Sequence, residues 1–211
     1  MRLSRLDVGV GHNLYPEQEQ LQNLGLDIGS LSGKKVLDIG CGRSARLVRY
    51  LKERGIHAEG IDEEVWADQY TMKKDWRKIP REDGSYDVVV SHMALSILGS
   101  ALTVSVGKIT KNEKKHLDRW AEDLFAGGIK EVLRVMKRDG IFVYFPASYG
   151  PLRRRAEEIV AAAGYYMEDE CVPLSRPEYF VHPLTRRADP RILEAARKEY
   201  ATRTIIRRKQ I

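Results

Sequence analysis

A glycine-containing turn lies between a strand pattern and a helix pattern near the start of the sequence. Gly40 and Gly42 follow the predicted strand 34–39, and a helix is predicted over 43–54. Glycines in such a turn let the backbone bend sharply and let a ligand approach it closely. Asp62 lies twenty residues after Gly42, at the end of the second predicted strand. A carboxylate there can accept hydrogen bonds from both hydroxyls of a ribose.

Two classes of cofactor fit this turn, and Asp38 distinguishes between them. Gly40, Gly42 and Ala45 match the G-x-G-x-x-G/A pattern of dinucleotide-binding proteins, so a nicotinamide-dependent dehydrogenase is one alternative. Asp38 lies two residues before the first glycine, where its carboxylate would repel the pyrophosphate of NAD. The same carboxylate would attract the ammonium group of S-adenosyl-L-methionine (SAM). The charge pattern therefore favours SAM over NAD.

The same segment resembles motif I of the class I SAM-dependent methyltransferases, within the broad methyltransferase type 11 group. Ser44 departs from the pattern, since many members have a third glycine there. The resemblance implies methyl transfer, with SAM as cofactor and S-adenosyl-L-homocysteine (SAH) as product. It covers about residues 34–146 and rests on five segments in the family's order: Asp38–Gly42, Gly60–Asp62, Lys74–Pro80, Ser85–Ser91 and Glu131–Gly140.

The resemblance also implies which residues bind the cofactor. Asp62 would bind the ribose, Asp75 would contact the adenine amino group, and Trp76 would flank the adenine ring. The alternative for Trp76 is a packing role in the core, and for Cys41 we expect only a small side chain within the turn. The full set of expected cofactor-binding residues is Asp38, Gly40, Cys41, Gly42, Asp62, Glu63, Asp75, Trp76 and Ser91.

His92 is the candidate catalytic residue. It follows Ser91 at the end of the fourth predicted strand, where ligands bind in open α/β sheets. Its ordinary pKa lies near neutrality, so His92 could act as a base or orient the methyl acceptor. The alternative is a histidine without an acid–base role. No metal site is expected, because His116 and His182 have no partners at ligand spacing.

Strand patterns alternate with helix patterns along most of the chain, which predicts a mainly parallel sheet. The fold class is therefore α/β, Rossmann-like, with seven strands, helices on both faces and an antiparallel last strand. Gly127-Gly128 is expected to break or kink the long helix, and Asp139-Gly140 to end it. Helices are predicted over 16–24, 43–54, 113–137 and 151–164, and strands over 34–39, 57–62, 69–74, 86–91, 141–145, from 165, and over 202–209.

One domain is expected over 1–211. Residues 1–33 would form an N-terminal cap or lid, with His12, Asn13 and Tyr15 near the site, and 34–146 the cofactor-binding core. The C-terminal part, 147–211, contains an insertion at 174–200, which with 95–111 would form the acceptor pocket.

Composition and charge restrict the remaining functions. Hydrophobic residues make up 43% of the chain and charged residues 31%, which is typical of a folded globular protein. There are two cysteines, no apolar run long enough to span a membrane and no signal-peptide pattern, so a cytoplasmic protein without membrane contact is expected.

The net charge of +6 is carried by residues 185–211, which contain nine basic and three acidic residues. We expect methyl transfer to a small molecule. A first alternative is an RNA or protein methyltransferase that uses this basic segment, and a second is a non-catalytic SAM-binding regulatory subunit. The sequence Ser91-His92-Met93-Ala94 replaces the Asn/Asp-Pro-Pro-Tyr/Phe motif of enzymes that methylate base or amide nitrogens, so such substrates are not expected.

Overall fold

The computed structural model describes residues 15–92, 94, 111–145, 150–172 and 202–209. The helices are α1 (Glu17–Leu24), α2 (Ile28–Leu31), α3 (Arg46–Lys52), α4 (Lys111–Val135) and α5 (Gly150–Ala162). The strands are β1 (Lys35–Ile39), β2 (His57–Ile61), β3 (Thr71–Met72), β4 (Tyr86–His92), β5 (Met136–Phe145), β6 (Tyr165–Cys171) and β7 (Thr202–Arg208).

The seven strands form one sheet in the order β3-β2-β1-β4-β5-β7-β6. The pairs from β3 across to β5 are parallel, and β7 is antiparallel to both β5 and β6. The predicted fold class, including the antiparallel last strand, is confirmed. The strand order reverses between β1 and β4, and ligands bind at such a point, outside the carboxyl ends of the strands. The turn after β1 and the end of β4 therefore flank the candidate site.

Helices cover both faces of the sheet because alternate residues of a strand point to opposite sides. Val88 of β4 packs in one buried cluster with Leu24 of α1 and the apolar face of α3. Its neighbour Val89 packs in a second cluster with Phe125 of α4 and Ala156 of α5. The continuous β-branched run of β4 is thus buried on both faces, as expected of a central parallel strand.

The boundary between α4 and β5 differs from the prediction. The helix ends at Val135, and the strand begins directly at Met136, so Asp139-Gly140 does not end the helix. Tyr86 pairs with Met136, whereas Val88 already pairs with Ile141, so the register shifts between the two pairs. The predicted turn is accommodated as an irregularity within β5. A side chain at Gly140 would lie 2.9 Å from the carbonyl oxygen of Asp87, which explains the glycine.

The sequence predicts a break or kink of the long helix at Gly127-Gly128. The predicted break is wrong, because α4 runs continuously through both residues. The two glycines instead leave room for neighbouring side chains. A Cβ atom at Gly128 would lie 1.8 Å from the ring of Trp76, and one at Gly127 would lie 3.3 Å from the side chain of Arg77. The pair is therefore a packing feature.

The short helix α2 was not predicted. Asp27 caps it, because its carboxylate accepts a hydrogen bond from the Ser30 backbone N–H and the Ser30 hydroxyl faces the Asp27 backbone N–H. Such a reciprocal arrangement stabilises even one helical turn. Among the described helices, none combines the length and the apolar composition that crossing a membrane requires.

Several predicted features lie outside the described residues. They are His12 and Asn13 of the cap, the segment 95–110 and the insertion at 174–200. The domain organisation and the acceptor pocket that involve these segments stay predictions.

Candidate functional site

The glycine turn after β1 adopts a backbone conformation that glycine tolerates best. Gly40 has a φ of +71° and Gly42 a φ of +70°, values that are unfavourable for other residues. The N–H groups of Gly40 and Cys41 both donate to the carbonyl oxygen of Ile61, at 2.8 and 3.3 Å. The turn is thereby fixed to the end of β2. Ala45, which precedes α3, also has a positive φ of +46°, and this places strain at the start of the helix.

Asp62 joins the glycine turn to the segment after β2. Its Oδ2 accepts a hydrogen bond from the Gly42 N–H at 3.1 Å, and its Oδ1 accepts one from the Glu64 N–H at 2.8 Å. A carboxylate has about four lone-pair positions, so each oxygen can accept a further hydrogen bond. The side chain is only half-buried. Asp62 is therefore held rigidly by the backbone and can still accept hydrogen bonds from hydroxyl groups of a ligand.

Asp38 is the most unusual group in the site. It is 4% exposed, and its carboxyl group makes no hydrogen bond or ion pair with any described residue. Burial, and then the negative charge of Asp62, raise the pKa of Asp38 to about 8. A buried charge without a partner is costly, so this position favours either a proton or a cationic ligand group.

Cys41 lies within the glycine turn and packs against β2. A Cβ atom at Gly60 would lie 2.7 Å from its Sγ, so the glycine of β2 makes room for the thiol. Burial, and then the charges of Asp38 and Asp62, raise the pKa of Cys41 well above its ordinary value. Because the thiolate is the nucleophilic form, the arrangement supports the expected packing role.

Ser91 and His92 end β4 and point to opposite faces of the sheet, as successive strand residues do. Ser91 is fully buried, and its Oγ has no hydrogen-bond partner among the described residues. His92 lies on the face covered by α1, where its Nε2 is 3.1 Å from Nδ2 of Asn23. Its ring stacks on Phe145 at 5.5 Å and contacts Tyr15 edge-on at 5.1 Å.

Burial lowers the pKa of His92 to about 3. The imidazole is therefore neutral at physiological pH. A base is most effective when its pKa lies near the working pH, so of the two roles considered for His92, the orienting role fits this environment better.

The remaining expected residues, Glu63 after β2 and Asp75 and Trp76 after β3, are not part of the cluster at the glycine turn. Asp75 accepts hydrogen bonds from the backbone N–H and Nε of Arg77, both at 2.8 Å, and this pairing lowers the pKa of Asp75. Trp76 is half-buried against the hydrophobic core and Gly128. Glu63 is exposed. Among the described contacts, none links these three residues to the cluster formed by the glycine turn, Asp38 and Asp62.

Two residues of the site's surroundings were missed by sequence reasoning. Asn23 is 3% exposed and contacts His92, and a polar residue between the buried Leu21 and Leu24 of α1 was a usable signal. Ala94 follows β4 and packs so closely that a Cβ atom at Gly40 would lie 2.1 Å from its own Cβ; no sequence signal indicated this contact. Within the described part of the chain, no three His, Cys, Asp or Glu side chains form a potential metal site.

The fold is shared with solved SAM-dependent methyltransferases. One similar chain comes from the structure of a complex between the Haloferax volcanii Trm112 methyltransferase activator and a proposed methyltransferase. The identity is 15%, 90% of each chain is covered and the TM-score is 0.55. The chain is also similar to a proposed SAM-dependent methyltransferase of Listeria monocytogenes, with 16% identity, 92% of this chain and 98% of that chain covered and a TM-score of 0.50.

A proposed sarcosine dimethylglycine methyltransferase of Galdieria sulphuraria has 15% identity, with 92% of this chain and 85% of that chain covered and a TM-score of 0.50. Likeness at this level of identity establishes the class I methyltransferase fold. No protein-family model matches the chain, and no curated protein matches it in sequence.

Proposed function

We propose that this protein is a class I SAM-dependent methyltransferase that acts on a small molecule. The observation that carries the proposal is the pair of carboxyl groups at the glycine turn. Asp38 is buried without a partner among the described residues, and Asp62 is fixed by the backbone beside it. A ligand with both an ammonium group and a ribose satisfies the two groups together, and SAM has both.

The residues present fit this cofactor. Asp38 would pair with the ammonium group, and Asp62 would accept hydrogen bonds from the ribose hydroxyls. Gly40 and Gly42 would let the cofactor approach the backbone. Asp75 and Trp76 remain the proposed adenine contacts, although Asp75 would then share its carboxylate with Arg77. Glu63, Cys41 and Ser91 would line the same site.

SAM supplies an electrophilic methyl group. The protein therefore needs mainly to hold the cofactor and the acceptor in line and close together, and orientation alone can supply much of the rate. The neutral His92 at the end of β4 would orient the acceptor.

NAD fits the same turn less well. Its pyrophosphate would lie near two carboxyl groups and would repel the ionised form of either one. Asp38 is already mostly protonated at pH 7 in the ligand-free protein, so a pyrophosphate would keep it neutral and gain no attraction from it, whereas an ammonium group would pair with its carboxylate. The electrostatic environment therefore favours a cationic ligand over a dianionic one.

Thermal-shift binding tests the proposal. We expect SAM and SAH to raise the melting temperature and NAD to have no effect, since only a ligand that binds the folded state stabilises it. Asp62→Ala should lose most of the ligand-induced shift, each variant being compared with its own ligand-free melting temperature. Glu64→Ala is the matched control, because Glu64 is an exposed acid two residues further on, whose side chain pairs with Arg43 among the described residues.

A shift with NAD that equals or exceeds the shift with SAM would reverse the assignment of the cofactor. Tight binding of SAM without methylation of any acceptor would instead favour the regulatory-subunit alternative.

The described part of the basic segment supports a small-molecule acceptor over RNA. Arg203 and Arg207 of β7 form ion pairs with Glu170 and Glu168 of β6, so their charges are neutralised within the sheet.

Truncation of the basic segment 185–211 would remove β7 and is therefore unsuitable as a test of RNA binding. RNA binding should instead be measured against salt in a variant with Arg186, Arg187, Arg191, Arg197 and Lys198 changed to glutamine; RNA binding lost in that variant would favour the RNA alternative.

A further inference from the structure

The contact between Asn23 and His92 joins the N-terminal helix α1 to the end of β4. Asn23 is 3% exposed, and its Nδ2 lies 3.1 Å from Nε2 of His92. A buried carboxamide without a hydrogen bond is strongly unfavourable. This contact is the only hydrogen bond of the Asn23 side chain within the described residues, so the pair is a specific arrangement and not incidental packing.

The chemistry of the two groups determines where the imidazole proton lies. An amide nitrogen donates hydrogen bonds and does not accept them. With the amide oriented as in this structure, Nε2 of His92 is the acceptor, and a neutral imidazole then carries its proton on Nδ1. The reversed amide would place Oδ1 at this contact and would require the proton on Nε2. Nδ1–H has no hydrogen-bond partner among the described residues, and His92 is not fully buried. Within the described part of the chain, the ring therefore has one unpaired donor, Nδ1–H, and no unpaired acceptor.

The position of Asn23 is fixed because α1 is attached to the rest of the fold at both ends. Glu17 pairs with Arg46 of α3 at 2.6 Å. At the other end, Nη1 of Arg203 in β7 donates to the carbonyl oxygen of Gln22 at 3.4 Å, and its guanidinium covers Gly25. Leu21 and Leu24 are buried in the core between these two attachments. The amide is thus held in place by the helix that carries it.

We propose that Asn23 is a positioning residue that fixes the Nδ1–H tautomer of His92, so that His92 presents a hydrogen-bond donor to the methyl acceptor. This inference rests on the proposed methyltransferase function. It narrows the substrate class to small molecules with a hydrogen-bond-accepting group, such as a carbonyl or carboxylate oxygen, near the methylated atom. It also assigns proton removal to a group other than His92, because the Nε2 lone pair is occupied by Asn23.

Nuclear magnetic resonance of the histidine side chains tests the inference without cofactor or substrate. Long-range correlations between ring protons and ring nitrogens identify which nitrogen carries the proton, and His92→Gln assigns the signal among the five histidines. We expect His92 to show the Nδ1–H tautomer and not to titrate between roughly pH 5 and 8. An Nε2–H tautomer in the unmodified protein would overturn the inference.

Asn23→Asp is the sharpest variant. A carboxylate can only accept, so it should draw the proton of His92 to Nε2 and stabilise the imidazolium, which raises the pKa of His92 toward the neutral range. Gln18→Glu makes the same chemical change at an exposed position of α1 and should leave the His92 signal unchanged. A purely structural Asn23 would leave the tautomer the same in both variants, and that result would contradict the proposal.

The outcome is separable from the test of the proposed function. If SAM fails to bind while His92 shows the Nδ1–H tautomer, the methyltransferase assignment falls and the role of Asn23 toward a methyl acceptor falls with it. If SAM binds while His92 shows the Nε2–H tautomer, only the inference about Asn23 is overturned.

Discussion

At the scale of single residues, the charge of Asp38 depends on what lies beside it. In the free protein, burial and the nearby carboxylate of Asp62 keep its pKa at about 8, so it is mostly protonated at pH 7. In the unfolded chain, the same carboxyl group would ionise near its ordinary value of 3.8. The residue best suited to bind a cation is therefore also one that destabilises the ligand-free fold.

This leads to a prediction for Asp38→Asn. Because the unfolded state loses its proton near pH 4 while the folded state keeps it to about pH 8, the contribution of Asp38 to stability falls as the pH rises through this window. Asparagine has the same shape and no charge to lose. We expect the variant to be more stable than the unmodified protein by on the order of 2–4 kcal/mol at pH 8, with little difference near pH 4.

Urea unfolding of both proteins at several pH values measures this difference directly. A variant that is less stable at pH 8, or a stability difference independent of pH, would show that Asp38 is already charged and partnered in the free protein.

At the scale of elements, the two glycines of α4 have different roles. A Cβ atom at Gly128 would overlap the ring of Trp76, whereas one at Gly127 would meet only the flexible side chain of Arg77. Glycine inside a helix usually costs about 0.5–1 kcal/mol relative to alanine. A matched pair of alanine substitutions therefore separates the packing role from helix propensity.

We expect Gly128→Ala to lower the free energy of unfolding by about 1–3 kcal/mol, because the added methyl group overpacks the contact with Trp76. Gly127→Ala should be neutral or stabilising by up to about 1 kcal/mol. Combining Gly128→Ala with Trp76→Leu should recover part of the loss, as measured by urea unfolding. Equal effects of the two alanines would contradict this account of the glycine pair.

The same comparison shows what the sequence alone could predict. The strands, the glycine turn and the position of Asp62 directly after β2 were predictable because they depend on short-range spacing and local backbone requirements. The contact between Asn23 and His92 joins residues 69 positions apart, and that between Trp76 and Gly128 joins neighbouring elements of the fold. Such contacts depend on how elements pack, so the sequence alone indicates a break or kink at Gly127-Gly128 and not a packing contact.

At the scale of the whole molecule, the sheet topology brings the proposed cofactor residues together. β1, β2 and β4 are parallel neighbours, so the carboxyl ends of these strands lie on the same side of the sheet. Asp38, Asp62 and His92 are at these carboxyl ends. The antiparallel strands β6 and β7 lie on the opposite side of the sheet from β3 and pair acidic with basic side chains. The net positive charge of the chain is therefore not a direct measure of an RNA-binding surface.

In the proposed function, the ammonium group of SAM or SAH replaces the proton on Asp38. Calorimetric titration of SAH into the protein at about pH 7, in phosphate and in Tris buffer, tests it most directly, because proton release makes the measured enthalpy depend on the buffer. Adenosine, which lacks the ammonium group, and Asp38→Asn are the controls.

We predict that binding of SAH releases close to one proton per site, since a carboxyl group with a pKa of about 8 becomes ionised beside a cation. Neither control should show this release. A buffer-independent enthalpy for the unmodified protein, with Asp38→Asn binding SAH equally tightly, would contradict the claim.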